Sequence, residues 1–351
     1  MNKFLNLLII TLSIFYSQIT LSAWQRLPEN KTPWAFWALL DQMGGSGYSY
    51  ANKSIFFLSE FVYQREFKNS TLEIGEYDSL ESYYDKLSEI ELSKLSPIEK
   101  LSLLSNRKLV ELETLIKDDM RLFADSWWGN CDGVAAASLL YPEPKKTITM
   151  STVNGKKISL SIADQKAILA TYAKHSKSEI FHFTHEANDK GDLTIHQPHH
   201  INNILAKQFA NNSSVLIDIS YGPEKWNSAI YAFEKNILDT KKISSKHVIE
   251  KIELKIKVAF AGTSTILSSP NLLNSALVFQ DHPNFTTEIK VNYILETKNG
   301  VQTSEFDPQY PQNKIDYLSI VHPELELKDE YYGEYILDQH FINNLLKAMN
   351  P

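Results

Sequence analysis

The chain holds a single cysteine, Cys131, in the run Trp127-Trp128-Gly129-Asn130-Cys131-Asp132-Gly133-Val134-Ala135-Ala136-Ala137. One thiol cannot close a disulfide within the chain. It is a small core residue, an intermolecular partner or a reactive thiol. Gly129 and Asn130 before the sulfur and the small-residue run after it predict a helix that starts at the cysteine. There the helix dipole and the open N–H groups of the first turn stabilise a thiolate. Free cysteines also bury readily, so the local sequence leaves nucleophile and core filler both open.

A thiol nucleophile needs a base within hydrogen-bond reach, and the base needs an orienting group. Three histidines cluster in His196-Gln197-Pro198-His199-His200, and Asp218 lies inside the apolar run Val215-Leu216-Ile217-Asp218-Ile219. A carboxylate in an apolar strand is costly unless something pairs with it, and an imidazole is a suitable partner. Cysteine, histidine and aspartate in that chain order form a recurrent thiol-enzyme arrangement. Duller readings stand beside this one. The histidines can be a surface loop or an adventitious zinc site, although adjacent His199 and His200 lack the i, i+4 spacing of a helical metal pair. Asp218 can end its strand ahead of a turn at Gly222-Pro223. His182 and His185, in Phe181-His182-Phe183-Thr184-His185, read as ordinary strand or loop residues. Gly44-Gly45-Ser46-Gly47 lacks the following Lys-Ser/Thr of a phosphate loop and reads as a flexible turn.

The elements that must position these groups fall into four stretches. Residues 1–23 read as a signal peptide: Lys3, an apolar run from Phe4 to Tyr16, then Leu21-Ser22-Ala23. The run is too short for a comfortable membrane span, so an exported protein without a membrane anchor is expected, in the periplasm or outside the cell. Residues 24–120 carry mostly helical signals, with capping boxes at Asp78-Ser79-Leu80-Glu81 and Ser96-Pro97-Ile98-Glu99. After the second box Ile98, Leu101, Leu104, Leu109, Leu112 and Ile116 recur at helical spacing. Residues 121–245 mix elements around the thiol: a hairpin over 147–160 turning at Asn154-Gly155, a helix over 163–173 and a buried strand at Asp218. Residues 246–351 alternate apolar and polar at Ile252, Leu254, Ile256, Val258 and Phe260, and again at Ile289, Val291, Tyr293 and Leu295, which predicts antiparallel strands buried on one face. A short helix is expected over 337–349.

The 351 residues carry a net charge of −7, which lends no support to nucleic acid or an anionic membrane as partner. The chain is long enough to bury a sizeable core without disulfides. Scattered carboxylates such as Asp189, Asp192 and Asp307 offer calcium or manganese at most an optional site, and the sequence demands no cofactor.

The thiol run, with Ala135-Ala136-Ala137 and Glu143-Pro144 behind it, resembles the cysteine motif of the transglutaminase elicitor family, known from oomycete cell-wall elicitors and with bacterial relatives. Further blocks follow in the same order. They are Asp164-Gln165-Lys166-Ala167-Ile168-Leu169 with Tyr172, the stretch from Pro198-His199-His200 through Asp218 to Glu224-Lys225-Trp226-Asn227, and Tyr293 to Glu305 followed by His322-Pro323-Glu324-Leu325. The resemblance runs from Trp127 to Leu325. It implies an α+β, thiol-protease-like core between a helical N-terminal part and a β-rich C-terminal part. It also implies acyl transfer: Cys131 attacks a glutamine carboxamide, His200 is the base, Asp218 orients it, and a protein amine or water takes the acyl group. His199 fits the histidine position almost as well as His200. The backbone N–H of Cys131, with the indole of Trp127 or Trp128, would hold the oxyanion. His322 and Glu143 match family positions and are assigned structural roles. Two departures stand out. Asp132 replaces the family's His or Asn and opposes thiolate formation by its charge, and Val134 replaces a Trp. A peptidase, deamidase or amidase on the same residues, or a non-catalytic exported recognition protein with a vestigial core, would carry the same features.

Overall fold

The computed structural model describes residues 23–36, 48–49, 54–55, 84–105, 131–174, 176–184, 194–218, 227–259, 271–311, 315–325 and 339–349. The expected signal peptide up to residue 22, the glycine turn at 44–47, the capping box at 78–81, and Leu109, Leu112, Ile116, Trp127 and Trp128 lie outside these. Among the described residues, no helix is long and apolar enough to cross a membrane.

Three two-residue strands, β1 (Gln25–Arg26), β2 (Tyr48–Ser49) and β3 (Ser54–Ile55), precede helices α1 (Glu89–Ser93) and α2 (Pro97–Leu104). The Ser96-Pro97-Ile98-Glu99 spacing predicts the start of α2, and both halves of that capping box form. Ser88 and Glu91 start α1 by the same reciprocal bonds. Helix α3 (Cys131–Leu140) has Cys131 as its first described residue and carries the small-residue run Ala135-Ala136-Ala137. The hairpin of β4 (Ile148–Ser151) and β5 (Lys157–Leu160) follows, with Gly155 in its turn at φ +79°. Helix α4 (Ile162–Ala173), capped by Ser161 and Asp164, is buried along its whole length.

The remaining elements are β6 (Ser176–His182), α5 (His199–Ala210), β7 (Leu216–Asp218), β8 (Asn227–Ser244), β9 (His247–Ala259), α6 (Ser275–Phe279), β10 (Thr286–Lys298), β11 (Val301–Phe306), β12 (Tyr317–Leu325) and α7 (Gln339–Met349). Their strands form one sheet in the order β11-β10-β9-β8-β7-β12-β6, with β1 added on β8. Every pairing within it is antiparallel. The fold thus combines helices with an antiparallel sheet. A division expected between residues 245 and 246 falls in the turn joining β8 to β9, whose two strands pair as a hairpin. The regions on either side therefore share one sheet. The start of β8 is hidden in sequence because Ala229, Ile230, Tyr231, Ala232 and Phe233 are all buried, a continuous apolar run with no period to read.

The sheet is curled. Laid flat, seven strands would hold their edges about 29 Å apart at roughly 4.8 Å per strand. Yet Ile195 bridges to His182 on one edge strand, and the Gln197 side chain accepts the N–H of Ser304 on the other at 2.9 Å. From Ile195 to Ser304 there are two residue steps and one side chain, roughly 15 Å at full stretch. The result is an incomplete barrel closed by residues 195–199.

Each face of this sheet has its own core. Ile201, Leu205 and Phe209 of α5 fill the inner face against Ile217, Ile230, Phe233, Leu254 and Val291. Val134, Ala135 and Ala136 of α3, with Leu169 and Tyr172 of α4, cover the outer face against Leu216, Ala229 and Tyr231.

Two buried ion pairs hold α4 in place. Lys100 Nζ meets Asp164 Oδ2 at 2.9 Å, and Lys166 Nζ meets Glu143 Oε1 at 2.5 Å. Glu143 also accepts from the backbone N–H groups of Asn274 and Ser275 and from the Ser275 hydroxyl, at 2.8, 3.0 and 2.6 Å, so it ties α4 to the start of α6. Burial alone would push the Glu143 carboxyl up. The Lys166 charge and these hydrogen bonds outweigh it and hold the group below its ordinary value of 4.5. Its contribution to stability is therefore present above the unfolded value and lost as pH falls through the lower folded one. Lys166→Met strands a buried carboxylate, and urea unfolding is expected to show a loss of about 3–5 kcal/mol. The double variant Lys166→Met/Glu143→Gln should recover much of that loss and flatten the acid limb of the stability profile.

Candidate active site

The antiparallel register sets four side chains in a row at one end of the sheet. Asn227 on β8 stands opposite Asp218 on β7, Asp218 opposite Tyr317 on β12, and Tyr317 opposite His182 on β6. Residues directly opposite in an antiparallel pair project to the same face. That face is the outer one. Leu216 and Ala229, two residues from Asp218 and Asn227, pack there, while Ile217 and Leu318 turn inward. Helix α3 lies on this face, and its first residue sets Cys131 over the row.

The contacts are specific. The Cys131 sulfur accepts backbone N–H groups from Asn227 and from Asp132 in the first turn of α3. The Tyr317 hydroxyl donates to Asn227 Oδ1 at 2.9 Å. The His182 and Tyr317 rings pack at 5.8 Å between centroids. Asp218 has no exposed surface.

Burial pushes the Cys131 thiol up to about 12, the neighbouring Asp132 carboxylate adds to this, and Asp218 adds further; the two N–H groups pull the other way and lose. The helix N-terminus therefore does not by itself make a thiolate here. Burial, with the charge of Asp218 next, also keeps the Tyr317 phenol protonated far into the alkaline range, so it remains a hydrogen-bond donor.

The structure brings Cys131 and Asp218 together, and it does not bring His199 or His200 to them. Both histidines start α5, which packs on the inner face, with the sheet between them and the thiol. His199 Nδ1 bonds Ser304 Oγ at 2.8 Å, and the His200 ring lies 4.2 Å from that of His199 and 5.7 Å from that of His196. Burial lowers the pKa of both, and the neighbouring imidazole lowers it further: His200 acting on His199, His196 on His200. This cluster closes the barrel seam. It arises because Phe181, Phe183 and His196 share the inner face while His182 points outward.

His182, read in sequence as an ordinary strand residue, is the histidine that shares the outer-face row with Asp218. Asn227 and Tyr317 are the other members that chemistry-first reading passes over. A single sequence does not reveal which residues stand opposite one another across β6, β12, β7 and β8. Trp127, Trp128, His185, Asp189 and Asp192 lie outside the described residues. Asp307 caps its own turn by accepting the Gln309 N–H at 2.9 Å, and among the described residues no group of three potential ligands is placed to hold a metal ion. His322 lies on β12, five residues beyond the row member Tyr317.

No protein-family model matches the chain, and no curated protein matches it. A solved structure does. The crystal structure of the GP42 transglutaminase from Phytophthora sojae aligns with a TM-score of 0.56 over 92% of this chain and 92% of that chain, at 13% sequence identity. At that identity the likeness is one of architecture: the chain has a transglutaminase-like fold.

Proposed function

We propose that this chain is an exported thiol acyltransferase of transglutaminase type, with Cys131 as its nucleophile. The observation that carries the reading is the position of its one cysteine: the first described residue of α3, over the same sheet face as buried Asp218 and bonded by the Asn227 N–H, in a transglutaminase-like fold. The sulfur attacks the carboxamide carbon of a protein glutamine, the thiol proton leaves with the departing ammonia, and a thioester remains. A primary amine then takes the acyl group and regenerates the thiol, and water in its place gives the glutamate product.

Asp218 is the proposed proton acceptor, since it lies on the thiol's face and out of solvent. The Cys131 backbone N–H, with Trp127 or Trp128, is the proposed oxyanion contact. His200 is the residue that decides between two arrangements. With the imidazole on the inner face, His200→Ala retains most activity while Asp218→Asn loses it; a loss in His200→Ala equal to that of Cys131→Ala would mean that a Cys131-His200-Asp218 triad assembles in the working enzyme.

The raised thiol favours a second reading, a hydrolytic deamidase or a protein whose core no longer catalyses. Incorporation of a labelled primary amine into casein, with ammonia release followed in parallel, separates the readings. Amine incorporation lost completely in Cys131→Ala is the expected result. Ammonia alone would make it a deamidase, and neither product would remove the acyltransferase proposal.

The electrostatics give a separate expectation. Iodoacetamide alkylation of Cys131 should be slow at neutral pH and should rise about tenfold per pH unit toward pH 10, because only the thiolate reacts. Asp132→Asn removes the larger of the two opposing charges. It should shift that profile to lower pH and speed alkylation at pH 8 several-fold.

A further inference from the structure

The β8–β9 hairpin carries its turn far from the thiol. At about 3.3 Å per residue, the path along β8 from Asn227 to the turn is roughly 56 Å. Strand β7 pairs only with residues 227–229 of β8, and β1 only with 232 and 233. Beyond them the outer edge of β8 has no strand partner among the described residues, and every residue from 237 to 244 is exposed. The β10–β11 turn lies beside this tip. Asn299 and Gly300 both take positive φ, 53° and 80°, and the Asn299 N–H donates to the Lys246 carbonyl at 2.8 Å. The two turns therefore make one blunt end of the sheet.

That end is basic and apolar at once. Lys241, Lys242, Lys246 and Lys298 are exposed, and none has an ion-pair partner among the described residues. The nearby carboxylate of Glu296 is taken by His247 at 2.6 Å. Ile243 and Val301 at this end are 51% and 64% exposed, while Ile237 and Leu238, 54% and 53% exposed, lie further back along β8 beside exposed Asp239. Lysines alone are the ordinary protection of a free strand edge. Aliphatic side chains among them are not, since they add back the surface that lysines discourage. Unpaired cations beside aliphatic groups at a projecting end match the layering of an anionic bilayer, phosphates outside and acyl chains beneath. The net charge of −7 repels such a surface from the molecule as a whole, so any attraction must be local to a region like this one.

We propose that this end of the sheet docks on anionic lipid headgroups. Lys241, Lys242, Lys246 and Lys298 meet the phosphates, and Ile243 and Val301 enter the acyl boundary. This is peripheral attachment and requires no membrane-spanning segment. It does not rest on the acyltransferase reading.

Co-sedimentation of the purified chain with phosphatidylcholine vesicles, with and without phosphatidylserine, tests it. Binding is expected only with phosphatidylserine present, and high salt should weaken it. Each lysine near such a surface is worth roughly fivefold in affinity, so Lys241→Ser/Lys242→Ser should weaken binding about thirtyfold. Ile243→Ser/Val301→Ser should weaken it too, at unchanged charge. All four positions are exposed, so far-UV circular dichroism should match the parent chain. No binding, equal binding to both vesicle types, or binding indifferent to both double variants would each overturn the proposal. So would concentration-dependent self-association abolished by Ile243→Ser/Val301→Ser, which would make a second copy the occupant.

Discussion

Everything at the candidate site depends on the register between β6, β12, β7 and β8. Direct pairing of His182, Tyr317, Asp218 and Asn227 puts these four side chains in one row on the outer face. A slip of one residue in β7 would send Asp218 into the aliphatic inner core and bring Ile217 out beneath the thiol. The slip is opposed by both cores at once, because Ile217 is buried inside and Leu216 outside. The described residues of β7 achieve this specificity because both faces of the strand are covered.

The helical side of the site depends on α4. Its twelve residues are all buried, and its charged side chains are paired to α2 and to the segment after α3. Lys166 also lies over the Trp34 ring, with its ammonium 5.2 Å from the centroid. These pairs bind together stretches far apart in sequence. They fix the height at which α3, packed on α4, presents its first residue to the sheet. The block from Asp164 to Tyr172 thus owes its character to scaffolding, and the candidate site lies at the ends of the elements that it supports.

Much of this was legible in the sequence. Capping chemistry at Ser96, the Asn154-Gly155 turn, the helix through the alanine run at 135–137 and the alternation in β9 and β10 are local patterns, and each folds as its pattern requires. The expense of a carboxylate in an apolar strand called for a partner to Asp218, and the partner it suggested was an imidazole of the 196–200 cluster. The place of the histidines did not follow. His182 and His196 both sit among aromatic residues, and only the pleat, with its two-residue period, sends one outward and keeps the other in. The curl of the sheet is likewise a property of its strands together. No segment encodes the closing of the gap between β6 and β11 by residues 195–199, and that closure is what commits His199 to Ser304.

The setting of Cys131 has a consequence for its durability. Peroxide and disulfide exchange both act on the thiolate, so a sulfur held protonated by burial and by two carboxylates is oxidised slowly. A lone cysteine has no neighbour in the chain with which to form a reversible disulfide once oxidised to the sulfenic acid. The charges of Asp132 and Asp218, which oppose thiolate formation, act against its oxidation for the same reason.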